Sequence, residues 1–194
     1  MNKSEMNVCT LAPWGGGLLM LLIGAWWFLG GSLSEAERIA KDLNSEDPNI
    51  RYSAAKDLSE LGYNASPAAA ALGDALHDPD EKVRYRAAKA LSKIGRNAGS
   101  VVDDLAVGLT DSNKDTRYYV AKTFSHISPD EAAEAVEALA TALEDTHPDV
   151  RFYAAKTLRE LGELAQPAAP QLAKAAEDKD PKVRDVAKLA LEAL

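Results

Sequence analysis

Five arginines, Arg51, Arg84, Arg117, Arg151 and Arg184, stand at intervals of 33, 33, 34 and 33 residues, and Asp78, Asp111, Asp145 and Asp178 precede the last four of them by six residues each. A carboxylate and a guanidinium at a fixed offset can handle charge at a reacting centre, or they can make charge-assisted hydrogen bonds that hold backbone in place. Repetition decides between the two. A catalytic site occurs once, whereas the same pair in every unit is architecture, so these nine residues are read as a structural ladder. The first unit departs from it, with Ser45 where the aspartate belongs.

A second set of series runs beside the arginines. Tyr52, Tyr85, Tyr118 and Phe152 follow them by one residue, and Lys56, Lys89, Lys122 and Lys156 by five. On a helix, residues four apart are neighbours on one face, so each unit presents an aromatic ring beside an ammonium group. Tyr119, Tyr153 and Arg86 border this stripe. Rings with polar tips and cations are enriched in protein-binding surfaces, which makes the eight residues candidates for contact with a protein partner. The competing reading is packing between repeats. It is favoured by the last unit, where Asp185, Leu189 and Lys188 replace ring, lysine and alanine, as expected of a solvated end.

No other chemistry is visible. His77, His126 and His147 fall in different units without metal-ligand spacing, and the single cysteine, Cys9, lies far upstream of all three. The glycines at 15–17 are not followed by the lysine and hydroxyl residue of a phosphate loop. The expectation is no catalytic residue, no metal, no cofactor, no small-molecule substrate and no enzymatic activity. With 22 Lys and Arg against 30 Asp and Glu, the chain carries a net charge of −8. Nucleic-acid binding needs excess cations to neutralise phosphates, so that function is disfavoured.

The elements that must position these series follow from hydropathy. Counting from each arginine as zero, positions −1, +3, +7 and +10 are apolar: Val83, Ala87, Leu91 and Ile94 in the second unit, Val150, Ala154, Leu158 and Leu161 in the fourth. Spacings of four, four and three define one helical face. An earlier helix is marked by pairs such as Leu72/Leu76 and Leu105/Leu109, with Pro67, Pro129 and Pro167 near its start. Gly62, Gly95 and Gly162 are expected to end the second helix as left-handed caps. Five helix–turn–helix units result, over about 34–62, 63–95, 96–128, 129–162 and 163–194, and a fixed period of this length predicts a stacked solenoid.

The phrase Asp-x-x-x-x-Val-Arg-x-x-Ala-Ala-x-x-Leu-x-x-Leu/Ile-Gly, best matched over Asp78–Gly95 and Asp145–Gly162, resembles the short HEAT repeats of phycobilisome-lyase-like proteins. The resemblance covers residues 34–194. It implies that the Asp/Arg pairs bond turns to neighbouring helices, and that the second helices line the concave side. Unit three departs from the pattern with Thr116 before its arginine and Ser128 for glycine, which predicts a looser turn there.

Upstream of the repeats, a tail (residues 1–10) leads into residues 11–33, which carry no charge and hold Trp14 near one end and Trp26 and Trp27 near the other. Twenty residues of helix cross a bilayer core of about 30 Å, and interfacial tryptophans fit that reading. A secretory signal cleaved before Glu35 is the alternative. The expected fold class is thus all-α, an α-solenoid of five HEAT-like helix pairs preceded by one transmembrane helix. The expected localisation is a single-pass membrane protein with its repeats on the extracytoplasmic side. The function expected from these features is a membrane-anchored protein–protein interaction module, an accessory or scaffold subunit of a larger membrane complex. The alternative is a chromophore-lyase-like subunit acting on an antenna protein, and a third reading, a nucleic-acid enzyme, requires a basic face.

Overall fold

A computed structural model of the chain describes residues 33–194. Among the described residues there are helices and no strands. Their order is α1 (Glu35–Ala40), α2 (Pro48–Leu61), α3 (Ala69–Asp74), α4 (Glu81–Ile94), α5 (Val102–Gly108), α6 (Lys114–Phe124), α7 (Pro129–Ala132), α8 (Val136–Ala142), α9 (Pro148–Leu161), α10 (Ala169–Ala175) and α11 (Pro181–Glu192). The long second helices α2, α4, α6, α9 and α11 pack in that order, each against the next, and the shorter first helices cover them. The described chain is an all-helical solenoid.

Four of the five second helices start on a side chain that satisfies a first free N–H group, and α9, which His147 precedes, has no such cap. Asp47, Asp80, Asn113 and Asp180 accept from the backbone two residues on. Three of the five begin with proline, which loses nothing at that position. The predicted apolar face is the core: Val83, Leu91, Val150, Ala154 and Leu158 are all fully buried. The Ala-Ala positions, such as Ala87/Ala88 and Ala154/Ala155, are fully buried too, their small side chains letting adjacent helices approach. In unit three Phe124 fills the core, but Thr116 is also fully buried and its hydroxyl has no hydrogen-bond partner among the described residues.

Helix ends differ from the sequence reading in one respect. Gly62, Gly95 and Gly162 have φ of 58°, 65° and 56°, but ψ of −127°, −124° and −131°. This is the first central position of a type II′ turn, not a left-handed helical cap, and it too is reserved for glycine. The chain enters the next unit without a loop, through 3-10 segments at Gly62–Ala68, Gly95–Val101 and Gly162–Ala168. Pro67 and Pro167 lie inside those segments, ahead of the α-helices they were expected to open. Where Ser128 replaces glycine, φ is −64°, and α6 stops at Phe124, three residues before the position at which α2, α4 and α9 end.

No helix among the described residues is long and apolar enough to cross a membrane. The tail over 1–10 and the span expected over 11–33 lie outside the described residues, Leu33 excepted.

Candidate protein-docking face

The arginine ladder joins successive units. Arg51 donates through Nε and Nη2 to Asp78 at 2.5 and 3.0 Å, Arg117 to Asp145 at 2.6 and 3.0 Å, and Arg151 to Asp178 at 2.7 and 2.8 Å. Arg84 reaches Asp111 through Nε at 2.5 Å and the Ser112 hydroxyl through Nη2. Each arginine also donates through Nη1 to the backbone carbonyl six residues before it: 2.9 Å for Arg84 to Asp78, 2.8 Å for Arg117 to Asp111. One guanidinium therefore clamps its own turn and the carboxylate of the next unit's turn.

Both ends of the ladder explain themselves. No arginine of the ladder series precedes Ser45 among the described residues, yet its hydroxyl still accepts from Asp47 N–H, as Asp78 does from Asp80 N–H. Arg184 bonds the carbonyls of Asp178 and Lys179 and reaches no carboxylate among the described residues.

Hydrogen bonds to the next aspartate, opposed by burial, raise Arg51, Arg84, Arg117 and Arg151 above the ordinary guanidinium value. Burial alone would raise the carboxyls of Asp78 and Asp145. The bonds from Arg51 and Arg117, with those from the Asp80 and His147 N–H groups, outweigh it and hold both below the usual carboxylate range. For Asp178 the bonds from Arg151 are the largest influence and act in the same direction. These arginines and aspartates are thus committed to one another across the unit boundaries.

The aromatic series is half-buried and zips the second helices together. Tyr85 meets Tyr119 edge-on with ring centroids 5.7 Å apart, Tyr119 meets Tyr118 at 5.0 Å, Tyr118 meets Tyr153 at 5.7 Å, and Tyr153 meets Phe152 at 5.3 Å. In the first two units Arg86 takes the place of a ring. It donates to the Tyr52 hydroxyl at 3.2 and 2.7 Å and lies 5.1 Å above the Tyr52 ring. The sequence placed Arg86, Tyr119 and Tyr153 at the edge of the stripe, but they are the contacts through which each ring reaches the next unit. Burial, with neighbouring Tyr153, raises the Tyr118 hydroxyl above the ordinary tyrosine value.

The lysines sit on the same face but are not equivalent. Lys56 pairs with Glu60 at 3.6 Å and Lys156 with Glu160 at 3.8 Å. Lys89 lies over two rings, 5.9 Å from the centroid of Tyr85 and 5.7 Å from that of Tyr119. Neither Lys89 nor Lys122 reaches a carboxylate at ion-pair distance among the described residues. His126 follows Lys122 by one turn, and burial, then Lys156 and Lys122, lower its pKa. His77 bonds Asp104 of the next unit at 2.8 Å, and His147 precedes α9 with its Nδ1 buried and without a hydrogen-bond partner among the described residues. The described residues contain no cluster fit to hold a metal ion.

The family follows from comparison with known proteins. The profile for HEAT repeats matches residues 36–106 and 102–192. The chain is a HEAT-repeat protein. No curated protein matches this HEAT-repeat chain. Among solved structures it is similar to an engineered protein at 24% identity, with a TM-score of 0.66 and coverage of 81% of this chain and 78% of that one. It is also similar to a designed armadillo repeat protein solved in complex with the peptide (KR)4, at 19% identity, a TM-score of 0.69 and coverage of 87% and 84%. A third is the complex of CpcE and CpcF of phycocyanin lyase from Nostoc sp. PCC7120, at 21% identity, a TM-score of 0.54 and coverage of 80% and 96%. These likenesses establish the helical-repeat fold. A HEAT solenoid is suited to protein–protein interaction, and repeat proteins of this kind bind protein partners.

Proposed function

We propose that this HEAT-repeat chain is a non-enzymatic, membrane-anchored interaction module, an accessory or scaffold subunit of a larger membrane complex. In this reading residues 11–33 hold it in the bilayer with the repeats on the extracytoplasmic side. The observation that carries the docking function is the face formed by α2, α4, α6 and α9. The Asp/Arg pairs are consumed in joining units, whereas this face keeps a continuous row of half-exposed rings and four lysines. Its rings serve two ends: their buried edges weld adjacent units, and their exposed edges give contact area. The anchor rests on the uncharged, tryptophan-flanked stretch of the sequence. That a designed array of similar fold is held in complex with a peptide agrees with peptide binding by such a surface.

The test uses the full chain, captured from detergent-solubilised native membranes. Lys89→Glu with Lys122→Glu is expected to abolish co-purification of partners while lowering the melting temperature by no more than about 2–4 °C, since the half-buried Lys89 gives up ring contacts worth about 1 kcal/mol. Tyr118→Ala is expected to lower both, because its ring is shared between packing and surface. Partner recovery that survives the lysine reversals would move the docking surface elsewhere. Release of the chain by alkaline carbonate, or a mature N-terminus at Glu35, would remove the anchor.

A further inference from the structure

Resting on the docking reading above, we infer that the occupant of this face is an acidic segment of a protein partner, bound extended across the second helices, with a carboxylate at about every third residue. Charge selects the sign. The chain as a whole is at −8, so a polyanion approaching from most directions meets repulsion. The middle of this face is the exception. Lys89 and Lys122 have no carboxylate partner among the described residues, and Arg86 beside them is held by a phenol rather than an acid. A cationic occupant, such as the (KR)4 peptide of the designed array, would meet like charge here. Glu60 and Glu160 pair with the outer lysines Lys56 and Lys156 and so confine the uncompensated charge to units two and three.

Spacing selects the register. Adjacent packed helices lie about 8–10 Å apart, and the four lysines advance by one helix per unit. A chain in the extended polyproline II conformation rises about 3.1 Å per residue with three residues per turn, so three residues span one unit and every third side chain returns to the same face. Carboxylates at i, i+3 and i+6 then meet successive lysines. The intervening residues lie over the exposed edges of Tyr85, Tyr119, Tyr118 and Tyr153, where apolar or aromatic side chains gain contact. Complementary charge of this kind steers association and excludes wrong partners. A nucleic acid would present closer-spaced phosphates to a row only one cation wide, and the acidic remainder of the protein would repel its overhang.

The test uses the full-length chain in mild detergent and fluorescein-labelled peptides read by polarisation. One peptide carries glutamate at every third position among alanine, serine and tyrosine. A second has the same composition with its glutamates contiguous, a third has lysine for glutamate, and oligothymidylate is the nucleic-acid probe. The spaced acidic peptide is expected to bind about tenfold more tightly than the contiguous one, as a lost close charge pair at an interface warrants. That binding should weaken at least as much on Lys89→Glu or Lys122→Glu, with Lys89→Gln and Lys122→Gln intermediate and all four variants still unfolding cooperatively within about 2–4 °C of the parent chain. Equal binding of the two acidic peptides overturns the register. Tighter binding of the lysine peptide or of oligothymidylate overturns the acidic occupant. So does failure of every probe while partner capture still depends on Lys89 and Lys122, an outcome that leaves the docking reading intact. Loss of that dependence removes the docking reading as well.

Discussion

Replacing Arg117 by alanine removes an internal rung of the ladder, and its cost can be set against the terminal Arg184. Arg117 makes two bonds to the Asp145 carboxylate and two to the carbonyls of Asp111 and Ser112. The side chains of Arg117 and Asp145 are only 13% and 8% exposed. Truncation leaves Asp145 charged, largely buried and held only by the His147 N–H and the Thr146 hydroxyl. Breaking one partner of a buried pair costs about 3–5 kcal/mol, and the two remaining bonds place this case near the lower figure. Arg184→Ala loses two bonds to carbonyls that water can reach and strands no carboxylate, so about 1 kcal/mol is expected. For an array of this size each kcal/mol moves the midpoint by about 2–4 °C. Thermal melts followed at 222 nm should therefore fall about 6–12 °C for Arg117→Ala and about 2–4 °C for Arg184→Ala. In a double-mutant cycle, Arg117→Ala and Asp145→Ala should couple by about 1 kcal/mol or more. Equal losses for Arg117→Ala and Arg184→Ala, or no coupling, would refute the inter-unit clamp.

Acid should loosen the same ladder. Asp78, Asp145 and Asp178 titrate below their ordinary value in the folded chain. Their stabilisation is therefore complete above the unfolded carboxyl value of about 3.9 and is lost as pH falls through the lower folded values. Melting temperature is expected to be level from neutrality to about pH 5 and to drop below about pH 4, whereas a drop centred near neutrality would implicate histidine instead. Thr116→Val should stabilise the array by about 1 kcal/mol, because it replaces a buried, unpartnered hydroxyl by a methyl of similar shape, and denaturant unfolding that shows a loss would mean the hydroxyl has a partner. Gly95→Ala should destabilise by roughly 1–3 kcal/mol, since φ of 65° with ψ of −124° is strained for any side chain. Ser128→Gly, at φ of −64°, should give no gain, and a clear gain would mean that unit three wants the glycine turn.

How far the sequence discloses this molecule depends on the distance over which each contact acts. Period, apolar faces and the need for glycine at Gly62, Gly95 and Gly162 are local, and all are legible. The ψ of those glycines is not, because it depends on the alanine-rich arm that follows turning at once into a 3-10 segment against the previous unit. An offset of six residues marks the Asp/Arg pair, but each guanidinium takes only a backbone carbonyl from its own unit's aspartate. The carboxylate it binds is the next unit's, a choice made by packing. Lys89 and Lys122 can be picked out as a series, and the glutamates four residues after Lys56 and Lys156, replaced by Lys93 and His126 in units two and three, are local and legible as well. Arg86, Tyr119 and Tyr153 look peripheral on a helical wheel, and only the neighbouring helix turns them into the links of the aromatic row. Ser45 looks like a defect until its place at the start of the ladder is known.

The central claim, that the face of α2, α4, α6 and α9 is where a protein partner docks, is tested most directly by site-specific photocrosslinking in native membranes. A photoreactive phenylalanine analogue would replace Lys89 or Lys122 on that face, and Tyr63, which is 66% exposed, as the control away from it. Irradiation is expected to give one discrete adduct with the same partner from positions 89 and 122, suppressed by the spaced acidic peptide, and none from position 63. An adduct from position 63 with none from positions 89 and 122 would contradict the assignment.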